Sequence, residues 1–321
     1  MLTRRITAAL ALAAVLLTAD ADALRARELR DCCAGAGSGP QAAAPSSSQP
    51  VPTQPVPTQP APTPTSARPS PVAPPSPTRT APSVNPAGRL AAGLTGLFGT
   101  GSSYSVAALD LTTGRSSQAG AHGGMVLASL VKLDILQTLL YQRQRSGQPL
   151  TDGQQDDVEA MIEHSDNAAA DRIFRLIGRA PGLGRYNAVL GLHDTVLNTA
   201  GLWGLSTTSA ADQLLVLQAL VSPRSPLTAA SRRYALDLLG QVEADQRWGV
   251  SAAGDPGSTT LNKNGWLGVD ADRGRWAVTT AGLVRIGGHQ VLMAVLSQHQ
   301  PDFATAVARV ERAARMLAAT L

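Results

Sequence analysis

Cysteine is nearly absent from this chain. The two present, Cys32 and Cys33, are adjacent, and none follows them. Everything after residue 33 therefore lacks both a disulfide framework and a thiolate metal site. Aromatic residues make up only 3% of the sequence. No stripe of them interleaves with the scattered arginines, which argues against nucleic acid as a partner despite a net charge of +4. The five histidines, His122, His164, His193, His289 and His299, show no metal-ligand spacing. A Ser-His-Asp triad would have no G-x-S-x-G elbow to carry its serine. No metal or cofactor is expected. The apolar run from Ile6 to Ala19 is too short to span a bilayer comfortably.

That run has another reading. Arg4 and Arg5 precede it, and the small-residue stretch Ala21-Asp22-Ala23 follows it, as in a secretory signal peptide covering residues 1–23. The expected location is secreted or cell-surface, where a mildly basic protein would adhere to an anionic cell envelope. Residues 24–87 are read as a stalk, and from about Gly35 to Ala87 Pro, Ser, Thr, Gln and Ala dominate, with the tandem Val51-Pro52-Thr53-Gln54-Pro55 and Val56-Pro57-Thr58-Gln59-Pro60. Such a segment buries too little apolar surface to fold and is biased to polyproline II, a semi-rigid stalk of about 3 Å per residue. Asp31 stands before Cys32, where a lipoprotein signal has a small residue, so an unpaired or intermolecular cysteine pair is the preferred reading.

Residues 88–321 have ordinary globular composition and suffice for one sizeable core; a monomer is expected. Alternation over Tyr104–Asp110 predicts a strand, Thr112–Arg115 a turn, and Ser116–Ala119 a second short strand. Helical periodicity begins at Ser129 and runs through Leu140. Further helices are predicted over Gln155–His164, Ala168–Ile177, Ala210–Val221 and Ser231–Gln241. Strands return at Trp276–Val284 and Gln290–Ser297, and a last helix starts near Asp302. Strands at both ends of a helical middle imply an α/β fold: one antiparallel sheet, flanked by terminal helices, with an inserted helical subdomain.

Three short strings carry chemistry. In Ser129-Leu130-Val131-Lys132, a helix start would put Ser129 and Lys132 one turn apart on one face, within hydrogen-bond reach. A partly desolvated lysine can then take the serine proton. Ser165-Asp166-Asn167 lies between two helical runs, with Ser165 read as the N-cap of the second. Lys263-Asn264-Gly265 follows a strand read over Thr259–Asn262. Each string alone is explained by a cap, a solvated lysine or a turn. Their ordered conjunction is not.

S-x-x-K, then S-D-N, then K-T-G is the signature of class A β-lactamases and penicillin-binding proteins, and this chain resembles that family from about Arg89 to Leu321. The resemblance implies a β-lactamase/DD-peptidase-like fold. It also implies a serine acyl-enzyme acting on β-lactams or on D-alanyl-D-alanine-like peptidoglycan stem peptides. By this resemblance Ser129 is the nucleophile, Lys132 its base, and Ser165 the proton relay to the leaving nitrogen. Asn167 contacts the substrate amide and Lys263 its carboxylate. Gly265 lets the substrate backbone approach, and the Trp266 N–H joins that of Ser129 in the oxyanion hole. Arg275, ahead of a strand, is a second candidate for the carboxylate.

Three departures stand out. Asn264 replaces the usual hydroxyl residue, although a carboxamide can still donate to a carboxylate. The stretch between Lys132 and Ser165 is short, which predicts an open cleft. The loop Thr195–Trp203 contains no carboxylate, where class A enzymes carry the glutamate that activates the deacylating water. Slow deacylation is therefore expected, and with it an alternative reading: a module that binds or senses penicillin or wall peptide without turnover.

Overall fold

The computed structural model describes residues 86–100 and 103–321. The segment read as a signal peptide, nearly all of the stalk, and Cys32 and Cys33 lie outside the described residues. The first described helix, α1 (Pro86–Phe98), begins within the last residues assigned to the stalk. Proline suits a first helical turn, where its missing N–H is no loss. Leu90, Leu94 and Phe98, four residues apart, are buried.

Five antiparallel strands form one sheet in the order β2-β1-β7-β6-β5. They are β1 (Tyr104–Asp110), β2 (Ser116–Gly120), β5 (Leu261–Val269), β6 (Arg275–Ile286) and β7 (His289–Gln300). β7 shows why this sheet sits in the middle of the molecule. Its residues alternate between two apolar faces, with Leu292, Ala294 and Leu296 in one core and Val291, Met293 and Val295 in the other. A strand with both faces covered reads as a continuous apolar run, and Val291–Leu296 is one. The second core is closed by α1 and by the terminal helix α8 (Phe303–Ala318), whose Ala306, Val310, Ala313, Ala314 and Leu317 are buried at helical spacing.

The first core is closed by the helical middle. It contains α2 (Lys132–Ser146), α3 (Asp152–Glu163), α4 (Asn167–Leu176), α5 (Arg179–Leu190), α6 (Ala210–Val221) and α7 (Ala229–Gly240). A two-stranded ribbon, β3 (Met125–Val126) with β4 (Thr207–Thr208), stands beside it. The antiparallel sheet, the terminal helices and the inserted helical group agree with the sequence reading. Helix α5 was not foreseen, because Pro181, Gly182 and Gly184 look like a turn. A Cβ on Gly182 would sit 1.7 Å from the Ile177 carbonyl oxygen, so only glycine lets this helix pack back on the preceding chain.

Three local expectations are corrected. Ser129 does not open an α-helix: it lies in a 3-10 turn over Ala128–Val131, and α2 starts at Lys132. Ser165 is not the N-cap of α4. Asp166 is, its carboxylate accepting from Ala169 N at 2.6 Å, while Ser165 takes a left-handed φ of 56°. The strand carrying the third motif does not end before it, because β5 runs from Leu261 through Lys263, Asn264 and Gly265 to Val269. A glycine inside a strand often marks a close backbone approach, and the contact here is specific. A Cβ on Gly265 would meet Leu130 N at 2.6 Å, Leu127 O at 2.7 Å and Ser129 N at 2.8 Å.

Helix α2 is buried along its whole first half, including Asp134. Both Asp134 carboxyl oxygens lack a hydrogen-bond partner. Burial, and secondarily the charge of Asp212, push its pKa up to about 8. Asp212 is instead well served, accepting from Asp194 N at 2.9 Å and from Thr195 Oγ1 at 2.7 Å. Asp134 therefore keeps its proton well above the usual carboxylate range.

Between about pH 4 and pH 8 the folded chain holds a proton on Asp134 that the unfolded chain has released, so this group takes away stability as pH rises. Asp134→Asn is expected to raise the melting temperature by several degrees at pH 7.5 and much less at pH 4.5; calorimetry at the two values checks it. Gly265→Ala is expected to destabilise by about 1–3 kcal/mol through overpacking against backbone, read as a lower denaturant midpoint at unchanged slope.

Candidate active site

The turn bearing Ser129 is held from two sides. Leu127 N donates to Ser206 O at 2.9 Å, and Thr279 Oγ1 on β6 donates to Leu127 O at 2.9 Å. Gly265 closes against the same turn. Ala128, just before the serine, has a φ of 49°, a left-handed conformation that turns the chain sharply there. Ser129 is half-buried and lines a cleft of about 760 Å³ with Asn167, Asp171, Trp203, Trp266 and Asp270. Its hydroxyl has no hydrogen-bond partner among the described residues.

Lys132 follows one turn later and is fully buried. Its Nζ reaches Ser165 O, Ser165 Oγ at 3.1 Å and Asn167 Oδ1 at 2.8 Å. The left-handed backbone of Ser165 lets one residue present both its carbonyl and its hydroxyl to the same amine. From the opposite side Lys263 Nζ donates to Ser165 Oγ at 3.0 Å and to Asn264 O at 3.1 Å. The Ser165 hydroxyl thus sits between two buried amines. Burial lowers Lys132 to a pKa of about 8, with Asp166 and Asp171 pulling the other way. Burial and then the charge of Lys132 lower Lys263 to about 7. Desolvation disfavours each ammonium, and like charges disfavour each other.

The motif residues diverge after Lys263. Side chains alternate along a strand, so Asn264 faces away from Lys263, behind the sheet. Its amide donates to Gln246 O at 2.7 Å and Trp248 O at 3.1 Å, and the residue is fully buried. Both N–H groups are engaged, so the expectation that this carboxamide reaches a substrate carboxylate is overturned. Asn262, two residues earlier on the same face, also donates to Gln246 O, at 3.2 Å. The Trp266 ring follows suit, packing against Trp248 at 5.9 Å and Phe303 at 5.8 Å between centroids. The space that Gly265 leaves is filled by the Ser129 turn rather than left for substrate. Arg275 is not brought to the site. It pairs with Val269 at the far end of β5, six residues from the Lys263 pair, is exposed, and forms an ion pair with Asp272.

Asp171 and Trp203 were missed. Trp203 Nε1 donates to Asp171 Oδ1 at 2.7 Å, and the Trp203 ring lies 5.2 Å from Lys132 Nζ. Asp171 is four residues after Asn167, hence on the same face of α4, a spacing visible in the sequence. A second signal was also available: of 27 basic residues only Lys132 and Lys263 are lysine. The rest are arginine, and the structure puts both lysines on one hydroxyl.

The chain matches the family model described as the beta-lactamase enzyme family over residues 154–321. No curated protein matches it. Among solved structures it is similar to PBP-A, at a TM-score of 0.62 and 20% identity over 72% of this chain and 95% of that one. A mutant of PBP-A solved as an acyl-enzyme complex with penicillin G superposes with a TM-score of 0.61 at 20% identity, over 72% of this chain and 95% of that one. A class A beta-lactamase from Bacteroides cellulosilyticus DSM 14838 gives 0.62 at 14% identity, over 73% and 98%. At these identities the solved structures speak to the fold, which is that of the β-lactamases. With the family match covering more than half its length, the chain belongs to the beta-lactamase enzyme family.

Proposed function

We propose that this protein is an exported serine acyl-transfer hydrolase that forms an ester on Ser129 with β-lactams or D-alanyl-D-alanine-like wall peptides. The observation that carries this reading is the Ser165 hydroxyl at 3.1 Å and 3.0 Å from the two lysine amines. A serine one turn before the first of those lysines opens to the cleft. Export rests on the N-terminal sequence alone.

The neutral amine of Lys132 takes the Ser129 Oγ proton as the oxygen attacks the substrate carbonyl. Ser129 and Lys132 are not hydrogen-bonded to each other in the structure, and catalytic hydrogen bonds commonly tighten only in the reacting complex. The N–H groups of Ser129 and Trp266 receive the developing oxyanion. Lys132 passes its proton through the Ser165 hydroxyl to the leaving nitrogen as the C–N bond breaks. Lys263, reached through the same hydroxyl, attracts the substrate carboxylate. Water then hydrolyses the ester, without a carboxylate from Thr195–Trp203 to activate it. That gap favours a second reading, a penicillin- or wall-peptide-binding sensor that retains its acyl group.

Ser129→Ala is expected to abolish covalent labelling by a fluorescent penicillin with the fold intact. Lys132→Ala should slow labelling by about 10²-fold or more. Labelling that survives Ser129→Ala would refute the acyl-enzyme. With a chromogenic cephalosporin, stopped-flow traces should show a burst of about one equivalent and then a slow steady state. Intact mass separates the two readings, because a persistent adduct marks a sensor and consumed drug without adduct marks a hydrolase.

A further inference from the structure

The loop that lacks a carboxylate brings an indole to the site instead. Trp203 is half-buried and closes over Lys132 from a different element than the other groups around that amine, which come from Ser165 and Asn167. Its ring lies 5.2 Å from Nζ, and its one polar atom is fastened to Asp171 on α4 at 2.7 Å. Gly201, with a φ of 87°, turns the chain just before it. Asn198 Oδ1 pins the turn by accepting from Ala200 N at 3.0 Å and Leu202 N at 3.2 Å.

We propose that Trp203 and Asp171 are positioning residues for Lys132: the Asp171 carboxylate fastens the indole over the Lys132 amine, making this loop the cover that keeps the amine dry. The inference rests on the acyl-enzyme reading for its catalytic meaning, though not for its structural one.

Two effects of the ring oppose each other. Its face attracts a cation, which favours the ammonium, and its bulk excludes water, which favours the neutral amine. Burial is the largest cause acting on Lys132, which it lowers to about 8, and the ring at 5.2 Å is part of that burial. The other charged groups facing this amine are few. Asp166 and Asp171, at the start of α4, raise its pKa. Lys263 on β5, across the Ser165 hydroxyl, is the like charge and repels it. Asp166 caps α4, which leaves Asp171 as the carboxylate that holds the indole.

The test is the pH profile of the acylation rate constant, measured on the full chain with a chromogenic cephalosporin. The wild-type rate should rise through an inflection near the Lys132 pKa. Trp203→Ala should move that inflection to higher pH by about one unit and slow acylation at pH 7 by about tenfold. Trp203→Phe, which keeps the ring, should recover most of the loss. Asp171→Asn and Asp171→Ala both remove the charge, and only asparagine keeps an acceptor for the indole N–H. The alanine profile should therefore lie to the alkaline side of the asparagine profile.

An inflection unmoved in Trp203→Ala overturns the cover, and coincident Asp171 profiles overturn the fastening. Should the wild-type chain not be acylated at all, the acyl-enzyme reading fails by itself. The cover is then decided by NMR titration of the lysine side chains. With two lysines in the chain, Lys263→Ala identifies the Lys132 signal, which must titrate higher in Trp203→Ala for the proposal to stand.

Discussion

Two lysine amines meeting at one serine hydroxyl set the terms for the rest of this structure. Neither amine has a carboxylate hydrogen-bonded to it, so both are held by neutral acceptors: the Ser165 carbonyl and hydroxyl, the Asn167 amide oxygen and the Asn264 carbonyl. Buried cations paired in that way are poor cations, and a lysine that gives up its proton readily is a base. A carboxylate bonded directly to Lys132 would tie up the ammonium and remove that property. The acids nearby act at a distance. Asp166 is occupied with its helix cap and Asp171 with an indole.

Holding those amines requires three separate chain segments to arrive in register, and the sheet provides the frame. β5 presents Lys263 on one face and anchors itself on the other, where Asn262 and Asn264 both donate to the Gln246 carbonyl. β6 reaches across to the serine turn through Thr279. Gly265 permits the contact that joins sheet to turn. The loop at 246–248 therefore belongs to the architecture of the site although no residue of it lines the cleft.

How much of this was legible follows from what kind of interaction each residue makes. Ser129 with Lys132, Ser165 with Asn167, and Lys263 could be read because each stands in a short local string, and the structure joins Lys132, Ser165, Asn167 and Lys263 by hydrogen bonds. The apolar runs of β1, β6 and β7 were readable for the same reason. Asn264 was misread because its N–H groups are taken by the Gln246 and Trp248 carbonyls, partners distant in sequence that no local pattern announces. Arg275 was misread because strand register, which sets it six pairs away from Lys263, depends on where a turn falls. Trp203 and Asp171 meet across 32 residues, and no local pattern announces such a pair. Ser165 and Asp166 exchanged roles because the left-handed turn at Ser165 is a tertiary demand, set by the two amines it must serve.

The scarcity of lysine has a consequence for handling the molecule. Amine-reactive esters ordinarily decorate a protein's surface through its lysines. This chain offers them two, both fully buried, so the native fold gives such reagents no exposed lysine. Modification of a folded sample would then count openings of the cleft, one molecule at a time. The same reagent that blurs other proteins becomes, for this one, a clock for its own active site.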